Sequence, residues 1–112
     1  MNCEDIKGIV GITLGLDLNS RRRSRKFTEA RFIYWDLAMR NADDFSVSWA
    51  ATIVGRTHAS AIHGLKTHEA LMEYDKLYSK KYEDCRLGLL KYRRPKKINP
   101  IVNRSLSNRV AI

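Results

Sequence analysis

The sequence predicts an all-α domain of about five helices built around a helix-turn-helix, followed by a basic tail with no regular structure. Three observations carry that expectation. Apolar residues recur at helical spacing along most of the chain before its last quarter. The stretch Gly55-Arg56-Thr57-His58-Ala59-Ser60-Ala61-Ile62-His63 reads as a tight turn running into a helix whose first turn is polar. Upstream of it, Ser20-Arg21-Arg22-Arg23-Ser24-Arg25-Lys26 is a basic run without a single acid. A groove-reading helix and a basic arm on one surface would account for both segments.

Taken in order, the first helix is expected over about residues 3–14. Asn2 is its N-cap, Glu4 and Asp5 occupy its first turn, and Ile6, Ile9, Val10 and Leu14 share a face. The second follows the basic run with Thr28 as N-cap, and places Ala30, Ile33, Tyr34, Leu37 and Ala38 at helical spacing up to about Asn41. Asp43-Asp44 marks a turn. Ser46 caps a short third helix with Val47, Trp49, Ala50 and Ile53 on its inner side, ending at Val54-Gly55. Thr57 caps the fourth, with Ala61, Ile62 and Leu65 facing inward, and Asp75 caps a fifth that carries Tyr78, Tyr82, Cys85 and Leu89 on one stripe. Two consecutive helices, the first short, joined by a glycine-containing turn, form the helix-turn-helix pattern.

At 112 residues the chain is one small domain, divided in this reading into a folded part, 1–92, and a tail, 93–112. Its formal net charge is +9, which points to a polyanionic partner. Nucleic acid fits better than a membrane, because no long apolar run and no strongly amphipathic basic helix is present. Residues 86–112 hold eight Lys and Arg and no acid, with Pro95 and Pro100 interrupting them, so this end reads either as a solubilising tail or as an arm that adds phosphate contacts. The acidic start Asn2-Cys3-Glu4-Asp5 is unlike a signal peptide, and the expected location is the cytoplasm, associated with the nucleoid. The two cysteines are too few and too far apart for a disulfide framework or a zinc knuckle and are expected as reduced thiols.

The motifs together bear a resemblance. Asp17-Leu18, then the run Arg21 to Lys26, then Ala30-Arg31, then Gly55 to His63 follow one another with the spacing of the C-terminal DNA-binding domain of the bacterial replication initiator DnaA, over about residues 10–85. That family carries a Gly-Arg-Asp-His-Thr-Thr-Val-Leu-His signature where this chain has Gly55 to His63. The resemblance implies a helix-turn-helix bundle of the Trp-repressor-like class, whose signature helix enters the major groove while the basic loop places an arginine in the adjacent minor groove. Residue by residue, it makes Arg23 the minor-groove arginine and assigns Arg21, Arg25 and Arg31 to the phosphate backbone. It puts Arg56 and Ser60 on phosphates at the helix start, and His58 and its neighbours against base edges. The DNA-binding set is then Arg21, Arg22, Arg23, Arg25, Lys26, Arg31, Arg56, Thr57, His58, Ala59, Ser60, His63 and Lys66.

Each assignment has a physical warrant. Arginine suits a narrow minor groove, where negative potential concentrates, and flanking cations supply affinity without sequence information. Six cations within residues 21–31 would repel one another in a merely solvated loop. Two departures from the family, Thr57 for its Asp and Ala59 for its first Thr, replace groups that discriminate between bases, so the preferred site is expected to differ from the family's. The helix arginine is followed by Phe32 where the family has Gln. No phosphate loop of the form G-x-x-x-x-G-K-[ST] surrounds any of the six glycines, so no nucleotide and no cofactor is expected.

Catalysis is not expected either. His58, His63 and His68 are spaced by five, which turns successive side chains by about 140° around a helix, whereas metal ligands on one face need spacings of three or four. His63 reads as a half-buried packing histidine, and Trp35 and Trp49 as core or groove-edge packing. The expected function is sequence-specific binding of double-stranded DNA in replication initiation or its control, with replication or transcription proteins as further partners. The alternatives are a basic RNA-binding or ribosome-associated structural protein, or a transcriptional repressor.

Overall fold

The computed structural model describes residues 1–98, with side chains up to Tyr92, and is all-helical over that span. Its five helices are α1 (Cys3–Leu14), α2 (Arg25–Asn41), α3 (Val47–Ile53), α4 (His58–Tyr74) and α5 (Lys76–Ile98). Four of the five expected caps form as hydrogen bonds. Asn2 and Asp5 make a reciprocal capping box, with Oδ1 of Asn2 accepting from the Asp5 amide at 2.9 Å and the Asp5 carboxylate accepting from the Asn2 amide at 3.1 Å. The Ser46 hydroxyl accepts from the Trp49 amide, and the Thr57 hydroxyl from the Ser60 amide, both at 3.1 Å. Asp75 does the same for α5, accepting from the Tyr78 amide at 3.1 Å.

α2 runs through the middle of the bundle and touches all four other helices, while α1 packs along α5 and α3 against α4. Its burial is continuous from Glu29 to Ala38. The helical spacing in the sequence anticipates the apolar part of this, since Ala30, Ile33, Tyr34, Leu37 and Ala38 all reach the core. It does not anticipate that Glu29, Arg31 and Asp36 are buried as well. α2 begins at Arg25, with Ser24 rather than Thr28 in the cap position, so Arg25 and Lys26 belong to its first turn and not to the loop. The remaining stripe, Tyr78, Tyr82, Cys85 and Leu89 of α5, is buried as expected.

Three side chains depart from the expected pattern. Trp49 is 43 % exposed, because its indole N–H donates to Asp44 Oδ2 at 3.2 Å and holds the ring across the turn; Ala50, Ala51 and Ile53 form the inner side of α3 instead. Ile62 is 39 % exposed, since the inward positions of α4 are Ala61, Gly64 and His68 and it lies one step off them. His63 is exposed and His68 is the buried histidine. α5 also runs on past residue 93 to Ile98, so the tail expected over 93–112 does not begin at 93. Its remaining part, 99–112, lies outside the described residues. Both cysteines are buried free thiols, and burial pushes each up to about 12, which leaves almost no thiolate at neutral pH.

The polar residues in the core form a network that locks α2, α4 and α5 together. The Tyr82 hydroxyl donates to Asp36 Oδ2 at 2.7 Å, Arg40 Nε reaches the same carboxylate at 3.0 Å, and His68 Nε2 lies 3.5 Å from it. On the other side of its ring, His68 Nδ1 is 2.6 Å from the Tyr78 hydroxyl. Burial pushes the His68 imidazole below its ordinary value; attraction to Asp36 and Glu69 opposes this, and Arg40 adds to it. The folded state therefore binds the His68 proton less readily than the unfolded chain, and stability from this group is present above the unfolded value of 6.5 and is lost as pH falls below it. Thermal melts should show the midpoint falling between about pH 6.5 and 5, above the range where carboxylates titrate, and a His68→Gln variant should be flatter in that window. Equal slopes in the two proteins would remove His68 as the cause.

Candidate nucleic-acid interface

The turn between α3 and α4 is a helix C-terminus closed by a glycine. Gly55 has φ +69°, its amide donates to the Thr52 carbonyl, and the Arg56 amide reaches back to the Ala51 carbonyl, both at 2.9 Å. These two bonds set the angle at which α4 leaves. At the start of α4 the Thr57 hydroxyl both accepts from the Ser60 amide and donates to the Ser60 hydroxyl, at 3.1 and 3.0 Å, so it is engaged in capping. His58 Nδ1 lies 2.9 Å from the Ser48 hydroxyl and links α4 to α3. Along its exposed side α4 then presents Ala59, Ile62, His63 and Lys66.

The basic loop sits beside this helix because four polar residues fasten it there. Asp17 Oδ1 accepts from the Asn19 amide at 3.0 Å, and the Asn19 side-chain amide donates to the Ile53 carbonyl at the end of α3 at 2.7 Å. Arg31 reaches out of α2 to the loop: its Nε donates to the Leu18 carbonyl at 3.0 Å, and its Nη2 to the carbonyls of Ser20 and, at 3.3 Å, Arg22. Arg56 Nη2 donates to the same Ser20 carbonyl at 3.3 Å. The loop and the turn thus share one acceptor.

This arrangement gives one residue a role the sequence does not show. Arg31 is 3 % exposed and its Nε and Nη2 hold loop carbonyls, so it anchors the basic loop from within the fold. Arg21, Arg22, Arg23, Arg25 and Lys26 are exposed, as the sequence predicts. They are not equivalent. Arg25 bridges Glu29 and Asp75, each at 2.7 Å, and its guanidinium is held above the ordinary arginine range first by the Glu29 hydrogen bond. Arg22 and Lys26 lie 6.0 and 5.6 Å from the Phe27 ring centroid.

Between the loop and α4 lies a cleft of about 520 Å³. Arg23, Arg31 and Arg56 line it with Ala59, Ser60 and His63, over Thr28, Phe32 and Trp35 of α2. None of these is acidic. His63 meets the Phe32 ring edge-on, with centroids 6.4 Å apart. Burial, then repulsion from Arg56 and Arg23, lowers the Arg31 guanidinium from its ordinary range.

Sequence reasoning missed two residues that build the site, Asn19 and Gly64, and the anchoring role of a third, Arg31. Asn19 and Arg31 act through backbone acceptors far along the chain, for which a local pattern has no signal. Gly64 reads as a mere weakness in a helix, yet a Cβ there would stand 2.6 Å from two Trp35 ring carbons and 2.8 Å from Phe32 Cδ1, so α4 can lie this close to α2 only with glycine. Among the described residues, no group of three or more His, Cys, Asp or Glu is placed to hold a metal ion, and no helix is long and apolar enough to cross a membrane. Comparison of the chain with protein-family models, with curated proteins and with solved structures finds no match.

Proposed function

We propose that this protein binds double-stranded DNA, with α4 in the major groove and the basic loop over the adjacent minor groove, and that it acts as a site-binding factor of the kind found in replication initiation or transcription control. The reading rests above all on one observation. Arg31 and Arg56 both donate to the Ser20 carbonyl, so the basic run and the start of α4, thirty residues apart in sequence, form a single cationic face. A groove helix with a fastened basic arm is what simultaneous readout of two grooves requires. The exposed row on α4 offers the chemistry for bases: His63 can donate or accept, and Ile62 and Ala59 are apolar partners for a thymine methyl. The likeness of Asp17-Leu18, the arginine run and the Gly55–His63 segment to the DnaA C-terminal domain supports the same reading and extends it to a role beside, or in competition with, an initiator.

Selection of bound duplexes from a random pool, followed by competition with structured RNA, tests it directly. A recovered consensus and displacement by duplex in preference to RNA are expected. Preference for RNA would favour an RNA-binding role and overturn this one. Within the site, Arg23→Ala should cost about 1 to 3 kcal/mol on the selected duplex and far less on random DNA, since Arg23 takes the minor-groove role. Arg25→Ala should weaken both by a smaller and equal factor, because Glu29 and Asp75 already share its charge. Equal losses on both DNAs for Arg23→Ala would place the minor-groove contact elsewhere.

A further inference from the structure

We infer that the cleft between the basic loop and α4 is a binding site for a phosphate group, held by Nη1 of Arg31 at its wall together with Arg23, Arg56 and the Ser60 hydroxyl. Arg31 is the observation that carries this. It is 3 % exposed, and its Nε and Nη2 serve the carbonyls of Leu18, Ser20 and Arg22. Its Nη1 donors have no hydrogen-bond partner among the described residues, although the residue lines the cleft. All three acceptors are neutral, and no carboxylate lines the cavity. Asp17 attracts Arg31 from outside the cleft without forming a salt bridge to it; a buried ion so weakly paired is costly, and a guanidinium does not escape that cost by losing its proton. Arg23 and Arg56 raise the cost, since both repel it.

An anion in the cleft removes the imbalance. Phosphate matches best, because its oxygens can accept from several guanidinium forks at once. Two further donors converge there. Ser60 lines the cleft, and its hydroxyl proton remains available while the oxygen accepts from Thr57. Ala59 lies in the first turn of α4, at the positive end of a 17-residue helix. At about 520 Å³ the space exceeds what one phosphate fills and falls within the range of small-molecule sites, roughly 300 to 1,000 Å³, so the group can carry a sugar or a base. Its source is either the backbone of a duplex, in which case the inference rests on the DNA-binding reading, or a free phosphorylated molecule, in which case it does not.

The test uses the full chain with Trp49→Phe, which leaves Trp35, whose ring lines the cleft, as the only tryptophan. Sodium pyrophosphate is titrated at constant ionic strength while Trp35 fluorescence is followed. A saturable change is expected, at least tenfold weaker in affinity with Arg56→Gln and abolished by Ala59→Glu, which places a carboxylate among the guanidiniums. Ala59→Glu should also melt no lower than its parent, so lost binding cannot be lost folding. Release of pyrophosphate by a short duplex identifies the backbone as the source; binding that persists in excess duplex identifies a free phosphorylated ligand. No saturable change, or an undiminished one in Ala59→Glu, overturns the inference. A duplex bound by a protein that ignores pyrophosphate overturns the phosphate site and leaves the DNA reading intact, and the converse result separates them the other way.

Discussion

Asp36→Ala should be among the most destabilising single substitutions in this protein, at about 2 to 5 kcal/mol. The carboxylate is 2 % exposed and is the meeting point of α2, α4 and α5. Removing it strands the Tyr82 hydroxyl, which donates to it at 2.7 Å, and deprives His68 Nε2 of the carboxylate 3.5 Å away. Arg40 contributes little to the loss, because its side chain is 62 % exposed and returns to water. The figure therefore comes from buried neutral partners left unsatisfied and from the cavity, not from the ion pair. In a domain of this size it corresponds to a fall in melting temperature of roughly ten degrees or more. Asp36→Asn keeps the volume and an acceptor for Tyr82, and should cost distinctly less. Chemical denaturation of the two variants decides the matter: a loss below about 1 kcal/mol for Asp36→Ala would mean that the network is not what joins these helices.

Gly64→Ala is expected to lower stability and DNA affinity together, against the usual effect of the change. In an exposed helix interior, alanine in place of glycine stabilises by about 1 kcal/mol. Here the added methyl would lie 2.6 Å from Trp35 Cε3 and Cζ3, well inside contact distance. Trp35 cannot swing away, because it is 2 % exposed and its indole N–H donates to the Ala50 carbonyl at 3.3 Å, an acceptor it shares with the Tyr34 hydroxyl at 3.1 Å. α4 must move instead, and overpacking of this kind typically costs about 1 to 3 kcal/mol. Gly64 lies one residue from His63 and packs on Phe32 and Trp35, which line the cleft between α4 and the basic loop, so the same movement separates the exposed row of α4 from the basic run. Melting temperature and affinity for a selected duplex should both fall. A variant that melts higher than its parent would show that the helices have room to spare.

Local chemistry alone determined the helices, the caps of all but α2, and the presence of a basic arm ahead of a turn-and-helix. Asn2, Ser46, Thr57 and Asp75 cap because their short oxygens reach the amide three residues on, a property of the tetrad and not of the fold. Gly55 stands at a turn that needs φ +69° between two helices, and the stripe from Tyr78 to Leu89 is buried because a 3.6-residue repeat over three turns defines a face. The seven residues of α3 span too few turns to do so, which is why Trp49 is found across a turn and not in the core. Tertiary structure decided which charges stay outside. α2 is enclosed on every side, and that encloses Asp36 with the tyrosines and His68, and Arg31 with the loop carbonyls. From the sequence Arg31 is one more cation in a basic run. Its burial depends on carbonyls nine to thirteen residues away that reach it only when the loop is folded back over α2, and no periodicity along the chain encodes that return.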